Sequence, residues 1–315
     1  MESDFILSVD LKKTTGDYFE ADAISASGLK KLKKSPAHFK EAEEKAETEA
    51  MIFGSAYHCY ILEPDRFETD YYVFDDHSIC EVLIGEGYKS PRSTKAYKEW
   101  QESEMRVIGE KKVIDMDVFE RIKAMKERLF AHPYAKMLLT NGEAEVGLAG
   151  TIQTQSGPIA VKLKPDYIKA GKHIIVDLKT AADASIDGFT RAAADNDYHI
   201  QAAFYSDLLE MMAGDGMGQT FIFIAQEKVK PYAFNLFECS PQFIAQGRYE
   251  YEMLLQLYKH CLDNNYWPGY QVFCPNHYGL IELSLPKWAI KSIDYYDHKT
   301  KKHEPELTDV TGSTL

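Results

Sequence analysis

Residues 159–179 read IAVKLKPDYIKAGKHIIVDLK, and this stretch decides the fold. Ile159, Val161 and Leu163 alternate with Lys162 and Lys164, the period of a strand with one apolar face. Pro165-Asp166 follows it, Ala170-Gly171 marks a turn, and Ile174-Ile175-Val176 is a short apolar run typical of a central strand. Successive side chains on a strand alternate faces, so Asp177 and Lys179 point the same way. Two neighbouring strands can then set Asp166 beside Asp177, which gathers two carboxylates and an ammonium at the end of a sheet. A lone Asp-x-Lys on a strand is commonly a surface ion pair. Here Asp177 directly follows three apolar residues, where a charge without a partner is costly, and a second Pro-Asp strand end lies one turn upstream.

Those residue types suit phosphoester chemistry. Hard divalent cations such as Mg²⁺ take oxygen ligands and keep several waters, and Asp166, Asp177 and the backbone carbonyl of Leu178 offer such oxygens. A metal of this kind polarises a phosphate and activates water. Lys179 is placed to position that water or to stabilise charge that develops on the phosphoryl group.

Downstream, the pattern predicts helices at about 186–195 and 198–213, the second closed by Gly214. Strands follow at 220–225 and 232–237, and Ser240-Pro241 opens a long helix to about Leu262. Upstream, Glu145 to Thr154 reads as a strand. Before it the sequence is mainly helical. Ser25 caps a helix to about Lys34, and Ser35-Pro36 restarts one. Residues 51–63 form an apolar helix ended by Pro64. The stretch 75–95, with Gly85, Gly87 and Pro91, reads as a long loop. Residues 94–109 and 116–131 are helical, the latter capped by Asp115 with Val118, Ile122, Met125 and Leu129 on one face. Residues 1–23 read as a short strand or arm. The order gives an α/β protein: a mixed sheet flanked by helices over about 143–240, with a helical N-terminal elaboration. We divide it into a helical portion 1–142, a core with C-terminal helices 143–292 and a polar tail 293–315, within one compact domain.

Composition narrows the class. Hydrophobic residues make up 45% of 315 and aromatics 12%, enough for a sizeable core. No apolar run reaches the ~18 residues that span a bilayer, and the N-terminus lacks the pattern of a secretory signal, so a cytoplasmic protein without membrane contact is expected. Five cysteines with no CxxC pair argue against a disulfide framework or zinc ribbon. The net charge of −13 speaks against a protein that coats DNA non-specifically. It leaves room for a DNA enzyme with a local basic stripe.

Pro165-Asp166 followed by Asp177-Leu178-Lys179 matches the PD-(D/E)xK nuclease signature. More specifically, the chain resembles the C-terminal nuclease domain of RecE-type exonucleases of phages and prophages, in the RecB-like branch. The resemblance runs from about residue 24 to 290. It is carried by Ile24 to Leu29 with Ser35-Pro36-Ala37, Gly54 to Cys59 with Leu62-Glu63-Pro64, Lys95 to Trp100, the two acidic motifs, Tyr198 to Tyr205, and Ser284 to Ala289. Each piece alone is weak; their shared order is specific.

The resemblance implies a restriction-endonuclease-like fold. It also implies a Mg²⁺- or Mn²⁺-dependent exodeoxyribonuclease that degrades one strand of linear duplex DNA 5′ to 3′. The 3′ single strand left behind would serve a RecT-like annealing recombinase, and relatives suggest a homo-oligomer such as a ring tetramer. Asp166 and Asp177 match the metal-binding carboxylates, Lys179 the catalytic lysine and His58 a helical metal ligand. Gln201 and Tyr205 match a Gln-x-x-x-Tyr motif that holds DNA or supports the site. Read from the residues alone, His58 beside Ile61 and Leu62 also fits a core position, and Gln201 with Tyr205 also fits a helix-packing pair. Glu145 is either a further ligand or an exposed strand start. Arg92, Lys95 and Lys98, before Trp100, match a basic segment that contacts phosphates, or form a solvated face. Lys162 and Lys164 share the strand face of Asp166 and can meet the DNA backbone. The cysteine pattern of an iron–sulfur cluster is missing, with Cys261 and Cys274 isolated. No Walker motif is present, so neither a cluster nor a nucleotide is expected. Rival readings are a related nuclease of other polarity, an endonuclease, and a DNA-binding module that does not cut.

Overall fold

The computed structural model describes residues 5–14, 18–43, 46–171, 173–270, 281–286 and 289. The chain divides into two compact units, Met1–Val272 and Phe273–Leu315. In the second, residues 281–286 are exposed and without regular secondary structure. Cys274, Lys287, Trp288 and the tail 293–315 lie outside the described residues.

The first unit begins with strand β1 (Ile6–Lys13). Helix α1 (Ala26–Lys34) starts where the Ser25 hydroxyl accepts the Gly28 N–H, and α2 (Pro36–Lys40) where Ser35 accepts from His38. Both are the side-chain caps that free helix N–H groups require. Helix α3 (Glu49–Leu62) is capped by Thr48 and stops before Pro64, which opens α4 (Pro64–Asp70). Next come β2 (Tyr71–Phe74), α5 (His77–Gly85), α6 (Lys95–Ile108), β3 (Lys112–Asp115), α7 (Met116–Phe130) and α8 (Pro133–Leu138). Asp115 stands at the start of α7, but its side chain makes no capping hydrogen bond.

The expected loop over 75–95 is partly ordered into α5 and a 3₁₀ turn at Pro91–Ser93. The reason is long-range. Asp76, 8% exposed, accepts Arg92 Nε at 2.6 Å, Arg92 Nη2 at 3.0 Å and the Tyr97 hydroxyl at 2.8 Å. No local periodicity announces partners so far apart in sequence.

The rest of the unit holds β4 (Gly142–Ala144), β5 (Leu148–Thr154), β6 (Gly157–Leu163), β7 (Tyr167–Lys169), β8 (Ile174–Ala181), α9 (Ile186–Asp195), α10 (Tyr198–Ala213), β9 (Thr220–Glu227), β10 (Phe234–Glu238) and α11 (Pro241–Asn264). The central sheet has the order β10-β9-β8-β7-β4. Only β8 and β9 run parallel in it; the other pairs are antiparallel. A second sheet, β1-β5-β6, is antiparallel throughout, and β2 and β3 form a small parallel pair. Glu145 does not begin a strand. Its φ of 51° breaks the extended backbone where the chain leaves the central sheet for the second one.

Alternation on β8 and β9 builds two cores. Ile175, Phe221 and Phe223 face one, with α10, α11 and the second sheet. Val176, Leu178, Ile222 and Ile224 face the other, with α3, α7 and α8. The central sheet is thus covered on both faces, which explains why its middle strands read as continuous apolar runs.

Helices α10 and α11 touch backbone to backbone at Gly247, where an added Cβ would stand 1.9 Å from the His199 carbonyl oxygen. Gly247→Ala must push the helices apart. We expect it to cost about 1–3 kcal/mol, read as a lower urea midpoint with an unchanged slope. An unchanged midpoint would show that the two helices separate freely.

Candidate active site

Antiparallel pairing of β7 with β8 sets Tyr167 opposite Val176. The residues just beyond this pair, Asp166 and Asp177, therefore arrive side by side, as the sequence predicts. The Asp166 Oδ2 accepts the backbone N–H of Leu178 at 2.8 Å. Asp177 is 1% exposed. Its Oδ1 pairs with the Lys179 ammonium, and its Oδ2 accepts Gln201 Nε2 at 2.6 Å. Burial alone would push the Lys179 ammonium down, but Asp177 and Asp166 more than offset this and hold it charged.

The second part of the site comes from α3 and from the break after β4. His58 Nδ1 lies 3.4 Å from Asp166 Oδ2, and the ring also meets the Leu178 backbone carbonyl. Burial, with Lys179 nearby, pushes the His58 pKa down. The imidazole is then neutral, the form that ligates a metal. Glu145 is bound to the same place through its backbone, donating its N–H to the Asp166 carbonyl at 2.9 Å. Its left-handed backbone is uncommon for a residue with a side chain, and it swings the carboxylate toward Asp166. One donor atom each from His58, Glu145 and Asp166 lie within 4.8 Å of one another. Asp177 is not in this set of three; its oxygens face the Lys179 ammonium and Gln201 Nε2.

The donor set fits a hard divalent cation: two carboxylates and one neutral imidazole, with the Asp177 charge behind them. The electrostatics agree. Burial, then the neighbouring Asp177 and Glu145, push the Asp166 pKa well above the ordinary carboxylate value. Such crowding of acids is relieved by a cation. A second group, Asp197, His199 and Glu250, also brings ligating atoms together. There the Lys33 ammonium already bonds Asp197 and Glu250, so it serves as an ion-pair clamp between α1, α10 and α11.

A cavity of about 730 Å³ opens over the first cluster, lined among others by His58, Glu145, Lys164, Asp166, Gln201 and Tyr205. Gln201 and Tyr205, one turn apart on α10, therefore do face one groove, and Gln201 also orients Asp177. Lys164 lines it too, with Nζ 2.6 Å from Glu145 Oε2. The remaining basic residues read from the sequence stand elsewhere. Arg92 is spent on Asp76, and Lys95, with an 88% exposed side chain, lies 3.5 Å from Glu99. Lys162 donates to the backbone carbonyls of Tyr18, Phe19 and Ala21, so its ammonium ties down the chain before α1 instead of facing the groove. None of these three lines the cavity.

Two neighbours of Lys179 escaped the sequence reading: Tyr198, whose ring centre is 5.0 Å from Lys179 Nζ, and Lys30, 5.1 Å from the same ring. Tyr198 sits in a motif read for its glutamine, and Lys30 in a run of helix lysines. Neither carried a local signal.

The model of a family described as a PDDEXK-like domain of unknown function (DUF3799) matches residues 25–276. In three dimensions the chain is similar to the crystal structure of a candidate exonuclease from Eubacterium rectale, with a TM-score of 0.55 and 16% identity over 87% of this chain and 96% of that one. At that identity the likeness speaks to the fold alone. A further structure, of the protein SSO0001, aligns over 83% of this chain and 98% of that one at 17% identity, with a TM-score of 0.28, and carries no argument. No curated protein matches the sequence.

Proposed function

The chain belongs to the PDDEXK-like domain family (DUF3799), and from that premise we propose that it is a metal-dependent exonuclease that hydrolyses phosphodiester bonds of linear double-stranded DNA. The observation that carries this reading is the set of His58, Glu145 and Asp166 donors, within 4.8 Å of one another, beside the pair of buried Asp177 with Lys179.

His58, Glu145 and Asp166 would hold the ion, Mg²⁺ or Mn²⁺, with Asp177 adding charge from behind. Bound there, such an ion supplies positive charge to a phosphate oxygen and acidifies a water. The chain's own residues do the rest. Asp177 keeps Lys179 protonated and fixes the direction of its ammonium. Gln201 holds Asp177 in the rotamer that does so. Lys179 then presents a full positive charge, pre-oriented, to a phosphoryl oxygen as negative charge grows on it. The Leu178 N–H fixes the Asp166 carboxylate that would help hold the ion.

The finer reading rests on the ordered motifs shared with RecE-type nucleases. The enzyme starts at duplex ends, removes one strand 5′ to 3′, and leaves a 3′ tail for an annealing recombinase. A homotetrameric ring would reconcile DNA binding with the net charge of −13, with a basic lumen inside an acidic wall. No described helix is long and apolar enough to cross a membrane.

Incubation of linear duplex with the purified protein should release nucleotides with Mg²⁺ or Mn²⁺ and stop with EDTA. Labels at each 5′ and 3′ end read the polarity. Cutting of closed circular DNA would point to an endonuclease on the same fold. Binding without cutting under both metal conditions would sink the nuclease reading.

A further inference from the structure

Lys30 and Lys179 share one aromatic ring. Their ammonium nitrogens stand 5.1 and 5.0 Å from the centre of Tyr198, so they lie at most about 10 Å apart. Cation–π attraction holds each of them there. Lys179 has a counter-ion in Asp177. Lys33, one turn along α1 from Lys30, has two, Asp197 and Glu250. Among the described residues no carboxylate lies within ion-pair distance of Lys30, and no hydrogen bond holds its ammonium. Burial, then the charge of Lys179, pushes the Lys30 pKa down to about 8, although Asp177 and Asp197 offset part of this. The fold therefore sets Lys30 beside the Asp177–Lys179 pair without a direct counter-ion, its charge met only at longer range by Asp177 and Asp197.

We infer that Lys30 is a second phosphate-binding residue, which takes a backbone phosphate of the DNA strand next to the one that Lys179 meets. The inference rests on the nuclease reading for its substrate. It goes beyond that reading because it runs the strand past the Tyr198 ring that Lys30 and Lys179 share. Tyr198 holds both cations at one ring. A strand carries its charges in a row, which suits two ammonium groups on one ring.

The test is the salt dependence of DNA binding by the full chain in EDTA, where no cutting intervenes. Fluorescence anisotropy with a labelled duplex is measured for wild type, Lys30→Gln and Lys30→Arg. A lysine bound to a phosphate releases about one counter-ion, so the slope of log K against log salt should become shallower by about 0.9 in Lys30→Gln. The affinity at low salt should fall about tenfold, and Lys30→Arg should restore both. A purely structural role would lower the melting temperature without changing the slope. An unchanged slope in Lys30→Gln, or failure of arginine to restore it, overturns the assignment. Cutting with Mn²⁺ is measured in parallel. A wild type that binds but does not cut sinks the nuclease reading while the slope still decides on Lys30.

Discussion

Lys179→Ala is expected to lower phosphodiester cutting about a thousandfold and to leave duplex binding within a few-fold of wild type. Removal of one pre-oriented electrostatic partner of a transition state costs roughly 10²–10³ in rate. Lys179 has the features of such a group: it is half-buried, held charged by Asp177, and steadied by the Tyr198 and Phe223 rings. The variant leaves Asp177 without its ammonium, although the Gln201 bond to Oδ2 remains. A thermal melt should accompany the kinetics to separate loss of chemistry from loss of fold. Single-turnover cutting within tenfold of wild type would remove Lys179 from the mechanism.

Asp166→Asn is expected to abolish activity through the metal. The amide keeps the size of the side chain, and its carbonyl oxygen can still accept the Leu178 N–H. The anionic ligand is lost. Affinity for Mn²⁺, measured by calorimetry, should fall at least 10–100-fold, since substitutions of mere supporting groups at metal sites already cost that much. In wild type the same affinity should climb with pH. The Asp166 carboxyl has its pKa raised by burial and by Asp177, so it retains a proton well above the range of an ordinary carboxyl. That proton must leave when a cation arrives. Binding is then weakest below this raised pKa and strongest above it, with net proton release at intermediate pH. Equal Mn²⁺ affinity in wild type and Asp166→Asn would remove Asp166 from the ligand set. Asp177→Ala is a poorer probe. It strands the half-buried Lys179, and breaking a buried pair costs up to about 3–5 kcal/mol, so loss of fold would be mixed with loss of metal.

How much of the site was legible depends on how far apart its members lie in the chain. Asp166, Asp177 and Lys179 belong to one hairpin, and strand alternation with a single turn is enough to bring them together. Gln201 and Tyr205 are one helical turn apart, and helical spacing puts them on one face. His58 came only through family resemblance, because nothing within α3 distinguishes a ligand from a core histidine. Glu145 read as a strand start, and its left-handed backbone, which aims the carboxylate at Asp166, is a consequence of the chain switching sheets. Lys162 read as a DNA contact on its strand, yet the carbonyls that claim it belong to residues about 140 positions earlier.

By itself the amino-acid order determined what is periodic or adjacent: the longer helices and the central strands, the caps at Ser25 and Ser35, the sheet flanked by helices, and the acidic hairpin with its lysine. These follow from forces that act over one turn or one strand. Folding in three dimensions decided what depends on meetings between distant segments. It ordered residues 77–85 around Asp76 and Arg92, set the His58, Glu145 and Asp166 donors together, and laid Lys30 and Lys179 on the Tyr198 ring. Charge pairing and burial act through space, and the distance along the chain between such partners leaves no period to read.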